Sequence, residues 1–336
     1  MTSSQQKLNG ISIIRTFAMI TIMLYHIGYG HYYFTQLKLS AAVHLFFCIS
    51  AFLIMHTTET KTPTSFLKRR LIRIVPLYFL LTVFTFAASK FISGFGQDNI
   101  GIPELIKSIL FIPYSRSGLK SDFAVRPIVG PAWTLYYDVW FAVLFFISMK
   151  LTHKYRGLVA AIACAVLCIA GIFLPKELPI AVLLNNGYLL SFITGIIVFY
   201  LWNNLLKDRT AAYPLLWGIV AAFLLICFYL IPRIALLQTI VAALILICTL
   251  IATKQKSVPK IFTHFSTVSF SFYLLHYYVI LIAGKVIDFT KLNVITVLGT
   301  FVVFAVTLFI SFFSYIIVEK KLGNALNQLS IRHAPK

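Results

Sequence analysis

Two residues with chemically useful side chains, Arg15 and His26, lie in one apolar stretch near the start of the chain. They are eleven positions apart, which is about three helical turns, so a helix would carry both on one face, roughly 16 Å apart along its axis. An ionisable residue inside a membrane-spanning helix is energetically costly and by default indicates a functional site. The spacing therefore predicts a site that uses a cation near one membrane surface and an imidazole most of the way to the other.

Three more titratable residues, His44, Asp138 and His276, lie in other apolar segments. The topology that the charge distribution predicts puts Asp138 about 10 Å below the outer surface, since a helix rises about 1.5 Å per residue. It also puts His44 in the outer half and His276 near mid-membrane. We therefore expect these three residues and His26 to converge in one polar cavity. Beside a histidine the Asp138 carboxylate would stay ionised and orient the ring, whereas buried alone it would be neutral.

A dense group of basic residues opens the third apolar segment, in the run FLKRRLIRIVPLYF. Arg70 and Arg73 are three positions apart and share a helix face. Their planar guanidinium groups suit phosphate groups well. The simpler interpretation is that these residues contact anionic lipid headgroups, and this stretch by itself favours that interpretation.

Each of the other candidates also has a simpler interpretation. Arg15 could extend to the cytoplasmic interface, and a single membrane histidine could serve as a hydrogen-bonding residue between helices. Trp133 and Tyr137 could belong to an aromatic belt at the membrane surface. Glu319, at the end of the last apolar segment, most simply pairs with a neighbouring lysine.

The composition indicates that the candidate residues lie on membrane-spanning helices. The 336-residue chain is 60% hydrophobic and 11% charged, whereas about a quarter of a soluble domain is charged. We predict an all-α polytopic membrane bundle of about ten helices. The predicted spans are 11–30, 40–57, 71–91, 132–150, 157–174, 184–203, 213–231, 235–253, 268–285 and 294–318. The short run 100–113 is bracketed by prolines and would form a surface or re-entrant helix.

Charge distribution predicts the topology. The net charge of +20 comes from Lys and Arg clustered in short loops, as the positive-inside rule expects, and so it does not indicate nucleic-acid binding. This rule puts both termini in the cytoplasm and makes 92–130 the one sizeable outer segment. The first span is expected to be an uncleaved helix. The five cysteines lie in apolar spans without disulfide or metal-ligand spacing, so no metal is expected.

Five segments, in order along the chain, resemble the acyltransferase-3 family of integral membrane O-acyltransferases, which modify bacterial surface glycans. They are the Arg15-x10-His26 spacing, VHLFFCISAFLIM (43–55), Arg70-x-x-Arg73 with IVPLY, PAWTLYYDVWF (131–141) and SFSFYLLHYYVI (269–280). The order and spacing of these segments make the resemblance specific. The family often has Asp at the position of His44, Gly at that of Ala51, and Glu at that of Asp138.

The resemblance implies a mechanism for the residues above. Acetyl-CoA, or another acyl-CoA, would bind from the cytoplasm. Its phosphates would lie on Arg70 and Arg73, and its pantetheine arm would pass Arg15. His26 would be the general base for an acceptor hydroxyl, and Asp138 or His276 would orient His26 or the acceptor.

The expected acceptor is a cell-surface polysaccharide or a lipid-linked saccharide, contacted by His44, Trp133 and Tyr137. The resemblance implies a multi-pass protein of the bacterial inner membrane, within the lipid bilayer, with one transmembrane domain over 1–336. No SGNH-type hydrolase domain is expected, so the protein would act alone or with a separate partner. A homo-oligomer is left open.

Two other functions compete with this one. A proton-coupled secondary transporter or flippase would also use intramembrane histidines and a buried acid. Such carriers often show internal repeats and paired broken helices, neither of which is visible in this sequence. A non-catalytic partner in an envelope assembly is the third alternative.

Overall fold

The structure is a computed structural model that describes Leu8 and residues 10–29, 36–92, 100–115, 125–208, 212–254 and 256–332. Its regular elements in these residues are all helical. The thirteen α-helices are α1 Gly10–Ile27, α2 Ala42–Thr57, α3 Pro63–Ala88, α4 Ile102–Ile109, α5 Trp133–Leu151, α6 Arg156–Phe173, α7 Pro179–Asn185, α8 Tyr188–Leu201, α9 Pro214–Leu230, α10 Ala235–Thr253, α11 Lys260–Ala283, α12 Val294–Ser314 and α13 Gly323–Arg332. Parts of the predicted outer segment, 93–99 and 116–124, lie outside the described residues.

The helices confirm a polytopic helical membrane protein. Nine helical segments in the described ranges are long and apolar enough to cross a membrane. The remaining predicted span corresponds to α9, which has 17 residues and is therefore about 25 Å long, close to the lower limit for a crossing. The short run 100–113 contains α4, as expected.

Helix α3 begins eight residues earlier than the sequence predicted. Thr62 caps it by accepting a hydrogen bond from the Ser65 backbone N–H at 3.3 Å, and Pro63 occupies the first turn, a position that proline favours. These local signals extend the helix through the basic run. As a result Arg70 lies about 10 Å, and Arg73 about 15 Å, from the start of the helix.

Helix α2 lies at the centre of the bundle. It is the most buried of the candidate spans and packs against α1, α8 and α10. Its closest approach is at Gly195 of α8, where an added Cβ would lie 2.2 Å from the Cys48 carbonyl oxygen. A glycine is therefore required here for the two backbones to meet.

The elements that surround the candidate site come from distant parts of the sequence. Helix α1 packs on α11, and α3 packs on α5. The last long helix continues from α12 through a π-helical segment, Tyr315–Leu322, which contacts α3. The helices α1, α2, α3, α5 and α11 together enclose one cavity.

Candidate functional site

A cavity of about 350 Å³ lies among these five helices. Its cationic lining residues are Arg15, Lys61, Arg69, Arg70 and Arg73, and its acidic one is Asp138. Apolar side chains line much of the rest, among them those of Ile22, Val43, Phe46 and Phe47, together with several serine and threonine side chains. The cavity is therefore strongly cationic at one end and apolar towards the other.

Arg70 and Asp138 form an ion pair within this cavity. Arg70 Nη2 lies 2.7 Å from Asp138 Oδ1 and also donates a hydrogen bond to Ser50 Oγ at 2.7 Å. Ser50 Oγ in turn donates to Asp138 Oδ1 at 3.3 Å. The pair links α3 to α5, with Ser50 of α2 as its third member.

This pairing corrects the expected position of Asp138. Its carboxylate does not lie beside a histidine, because Arg70 reaches it from inside α3. The sequence-based boundary at residue 71 had put Arg70 at the membrane surface. With α3 starting at Pro63, the guanidinium lies inside the bundle and neutralises the acid there.

Arg15 also lines the cavity. Its Nη2 donates to Ser269 Oγ of α11 at 2.8 Å, and Ser269 donates to the Ser266 carbonyl oxygen at 2.8 Å. Arg15 therefore connects α1 to α11 inside the bundle. A guanidinium has five N–H donors, so Arg15 has the capacity to bind an anion in the cavity as well.

Arg73 is exposed, with 47% of its side chain accessible. Its Nε lies 3.9 Å from Oε2 of Glu319, whose side chain is 6% exposed. Glu319 also accepts a hydrogen bond from Ser271 Oγ at 2.6 Å. The expected pairing of Glu319 with a neighbouring lysine is therefore wrong, because the π-helical segment directs this residue towards α3 and α11.

His26 and His276 form a hydrogen-bonded pair. His26 Nδ1 lies 2.9 Å from His276 Nε2, and the Nδ1 of the buried His276 ring lies 3.2 Å from the Phe272 carbonyl oxygen. A carbonyl oxygen can only accept, so His276 Nδ1 carries a hydrogen, and Nε2 of the neutral ring accepts one from His26 Nδ1. In this arrangement Nε2 of His26 carries the lone pair that a general base needs.

Tyr273 connects the cavity to the histidine pair. It lines the cavity, and its ring centroid lies 5.9 Å from that of His276. Thr134 donates to the Tyr273 hydroxyl at 2.8 Å, which itself donates to the Pro131 carbonyl oxygen. Tyr273 thus contacts both the cavity and the histidine pair.

His44 lies apart from the histidine pair. It is buried, with Nδ1 at 2.9 Å from Ser191 Oγ and at 3.3 Å from Thr239 Oγ1. Its ring lies 4.6 Å from that of Tyr188. Of the four residues expected to converge, His26 and His276 bond to each other, whereas the hydrogen bonds of His44 and Asp138 go to other partners.

The three expected acceptor contacts differ in accessibility. Tyr137 is fully buried, donates to the Leu183 carbonyl oxygen at 2.6 Å and accepts from Asn186. Its hydroxyl therefore supports helix packing. Trp133 is partly exposed and its ring centroid lies 5.1 Å from that of Tyr188, whereas Tyr137 and His44 are buried.

Four residues of the site were not singled out from the sequence: Ser50, Ser269, Tyr273 and Ser271. All four lie within the segments 43–55 and 269–280, which resemble the family, so the resemblance could have identified them as candidates. Which side chain each of them meets depends on helix packing. Among the described residues, no group of three or more His, Cys, Asp or Glu side chains could hold a metal ion.

Comparison with known proteins gives two matches. The family model described as acyltransferase domain matches residues 8–316. The exopolysaccharide production protein ExoZ of Rhizobium meliloti (strain 1021) is 27% identical over 191 residues, which cover 56% of this chain and 57% of ExoZ. The chain thus aligns with little more than half the length of this relative. No solved structure matches the chain.

Proposed function

The chain belongs to this acyltransferase family, and from that premise we propose that it is a membrane O-acyltransferase of the bacterial inner membrane. The acyl group, acetyl in the simplest case, would pass from a cytoplasmic acyl-CoA to a hydroxyl of a surface polysaccharide or its lipid-linked precursor. The name of the Rhizobium relative supports a polysaccharide acceptor. One observation carries the proposal: a cation-lined cavity reaches Tyr273, whose ring centroid lies 5.9 Å from that of His276 in a hydrogen-bonded histidine pair.

The cationic side chains and the volume of the cavity suit an acyl-CoA. Arg73, Arg69 and Lys61 are cationic groups that suit phosphates at its charged end. Burial and the adjacent positive charge of Arg69 lower the pKa of Lys61, so an anion bound between them would relieve their repulsion. A volume of about 350 Å³ suits a slender arm, so the nucleotide would stay at the mouth.

Arg15 and the apolar lining would guide the arm towards Tyr273. When bound, an acyl-CoA supplies an acyl group activated as a thioester. Ile22, Val43 and Phe47 keep the cavity apolar on the way to the histidines, which would limit access of water to that thioester.

The histidine pair would handle the proton. His26 Nε2 would take it from the acceptor hydroxyl as the oxygen bonds to the acyl carbon, and would return it to the departing sulfur. His276 would hold the Nδ1 hydrogen of His26 throughout, which keeps the lone pair on Nε2 and stabilises the ring when it is charged. General-base assistance of this kind typically contributes about 10²- to 10⁴-fold in rate.

Purified protein in detergent tests the proposal. With radiolabelled acetyl-CoA and glycan from cells that lack the protein, the wild type should release CoA and label the glycan. His26→Ala should lower this rate by about 10²-fold or more without changing the elution profile. His264→Ala, at an exposed histidine of α11, is the matched control and should retain full activity.

Two results would contradict the proposal. If His26→Ala retained its activity, His26 could not be the general base. Movement of a glycan or small solute across a vesicle membrane without CoA release would instead indicate a proton-coupled carrier.

A further inference from the structure

A short segment that enters α5, residues 125–132, lies next to the histidine pair and outside the cation-lined cavity. Val125, Ile128 and Val129 are buried, and the Ile128 backbone N–H donates to Ser108 Oγ of α4 at 3.1 Å. The segment is thus held by apolar packing and by a backbone hydrogen bond. Its one charged residue, Arg126, is partly exposed.

Helix α11 holds this segment close to His276. Tyr273 donates to the Pro131 carbonyl oxygen. One turn along the same helix, the Tyr277 ring lies 3.6 Å from where a Cβ at Gly130 would be. His276 lies between these two tyrosines in the sequence. The segment that carries Arg126 is therefore fixed against the turns of α11 that carry the histidine.

The surroundings of Arg126 are aromatic and polar. Burial lowers the pKa of its guanidinium, while the hydroxyls of Tyr25, Tyr273, Tyr277 and Tyr188 act in the opposite direction. An arginine stays protonated under such conditions. Tyr25 precedes His26, and their rings lie 5.3 Å apart, so these hydroxyls come from helices on both sides of the histidine pair.

We infer that Arg126 binds an anionic group of the acceptor, a carboxylate or a phosphate, while an acceptor hydroxyl lies at His26. A partly buried guanidinium gains most from an anion that can accept two hydrogen bonds in its plane. Arg126 is absent from the lining of the cavity that holds Arg15, Arg70 and Arg73. Arg126 therefore lies outside that cavity, on the segment that Tyr273 and Tyr277 contact.

The partly exposed ring of Trp133 completes this acceptor site. The ring centroids of Trp133 and Tyr188 lie 5.1 Å apart. Tyr188 is one of the tyrosines whose hydroxyl raises the pKa of Arg126. A sugar ring could pack its apolar face on Trp133 while its charged substituent meets Arg126. The inference rests on the proposed function, since it specifies the class of acceptor for that reaction.

The test uses the full-length protein in lipid nanodiscs, radiolabelled acetyl-CoA and glycan from cells that lack the protein. Arg126→Gln should raise the KM for native glycan at least tenfold and leave the KM for acetyl-CoA unchanged. Arg126→Lys should recover part of the loss. Lys107→Gln, at an exposed lysine of α4, is the matched control and should behave as wild type.

Chemically altered glycans identify the anion. Glycan whose carboxyl groups are reduced to alcohols tests for a carboxylate, and glycan treated with phosphatase tests for a phosphate. With the correct anion removed, wild type should show the raised KM of Arg126→Gln, and the variant should lose nothing further.

The possible failures are distinguishable. An unchanged KM for native glycan in Arg126→Gln would overturn the inference, as would equal use by wild type of native, carboxyl-reduced and phosphatase-treated glycan. An unchanged KM for acetyl-CoA reports that the variant is folded. Absence of any transfer to native glycan by the wild type would overturn the proposed function, and the inference with it.

Discussion

At the scale of single residues, the hydrogen bonds of His276 assign a role to each nitrogen of His26. The Phe272 carbonyl oxygen determines which nitrogen of His276 carries the hydrogen, and that in turn determines the tautomer of His26. In many enzymes a carboxylate orients the base. Here a neutral imidazole would do so, and it would add no negative charge to an apolar part of the bundle.

His276 is therefore expected to act as a positioning residue. His276→Ala should lower kcat by about tenfold or more, equivalent to about 1.4 kcal/mol, with little change in the KM for acetyl-CoA. His276→Gln should retain more activity, since its amide oxygen can also accept from His26 Nδ1. The measurements are kcat and KM for both variants, and equal losses in both would argue against the hydrogen-bonding role.

At the scale of helices, the Arg70–Asp138 pair joins α3 to α5 across the cavity. The side chains are 19% and 24% exposed, so the pair is only partly shielded from solvent. Removal of one partner leaves an uncompensated charge among apolar side chains. The pair would then contribute mainly to helix packing, and Arg73 would be more available than Arg70 for a bound phosphate.

This predicts non-additive effects on stability. Arg70→Ala and Asp138→Ala should each lower the thermal unfolding midpoint in detergent, by the equivalent of about 1–3 kcal/mol given the partial exposure. The double variant should be less destabilised than the sum of the two. Arg69→Ala, which removes a cavity cation outside this pair, is the control. Additive losses would mean that the two side chains do not interact in solution.

Removal of Arg73 should affect donor binding more than stability. Arg73→Ala should raise the KM for acetyl-CoA several-fold while the unfolding midpoint changes little, because its side chain is 47% exposed. The same measurements on Arg70→Ala give the comparison. An increase in KM for Arg70→Ala as large as that for Arg73→Ala would instead indicate that both arginines contact phosphate.

At the scale of the whole molecule, α1 would link the two proposed sites, which the predicted topology puts towards opposite sides of the membrane. Arg15 lies in the cavity that is lined by Lys61 and Arg69, and His26 lies beside the segment that carries Arg126. The donor and the acceptor would therefore meet inside the bundle without either crossing it. This arrangement requires Lys61 to be cytoplasmic and Arg126 to face outward.

Thiol labelling checks that orientation. In a variant whose five native cysteines are replaced, Lys107→Cys should react with a membrane-impermeant maleimide added to spheroplasts. Lys256→Cys should react only after the membrane is opened. The positive-inside rule supplies the reason, since it predicts that Lys256 lies in a basic cytoplasmic loop and Lys107 in the outer segment. The reverse pattern would invert the topology and exchange the two proposed sites.

The sequence by itself determined the class of protein and most helices. Apolar segments of membrane length can only be helical in a bilayer, because every backbone N–H and C=O must be satisfied internally. The helical period likewise put Arg15 and His26 on one face before any partner was known. The segments that resemble known acyltransferases also contain Ser50, Ser269 and Tyr273, although their partners were not evident.

Only the tertiary structure decided which side chains meet. His26 and His276 are 250 positions apart, and Arg70 and Asp138 are 68 apart, so their contacts depend on how whole helices rotate and pack. Arg70, which the sequence puts at the membrane surface, instead pairs with Asp138 inside the bundle. Trp133 and Tyr137 also differ in burial. Residues four apart on one helix face the same side, but these two lie at different depths in the bundle. Side-chain type and spacing thus identify the candidates, and helix packing assigns each one its partner.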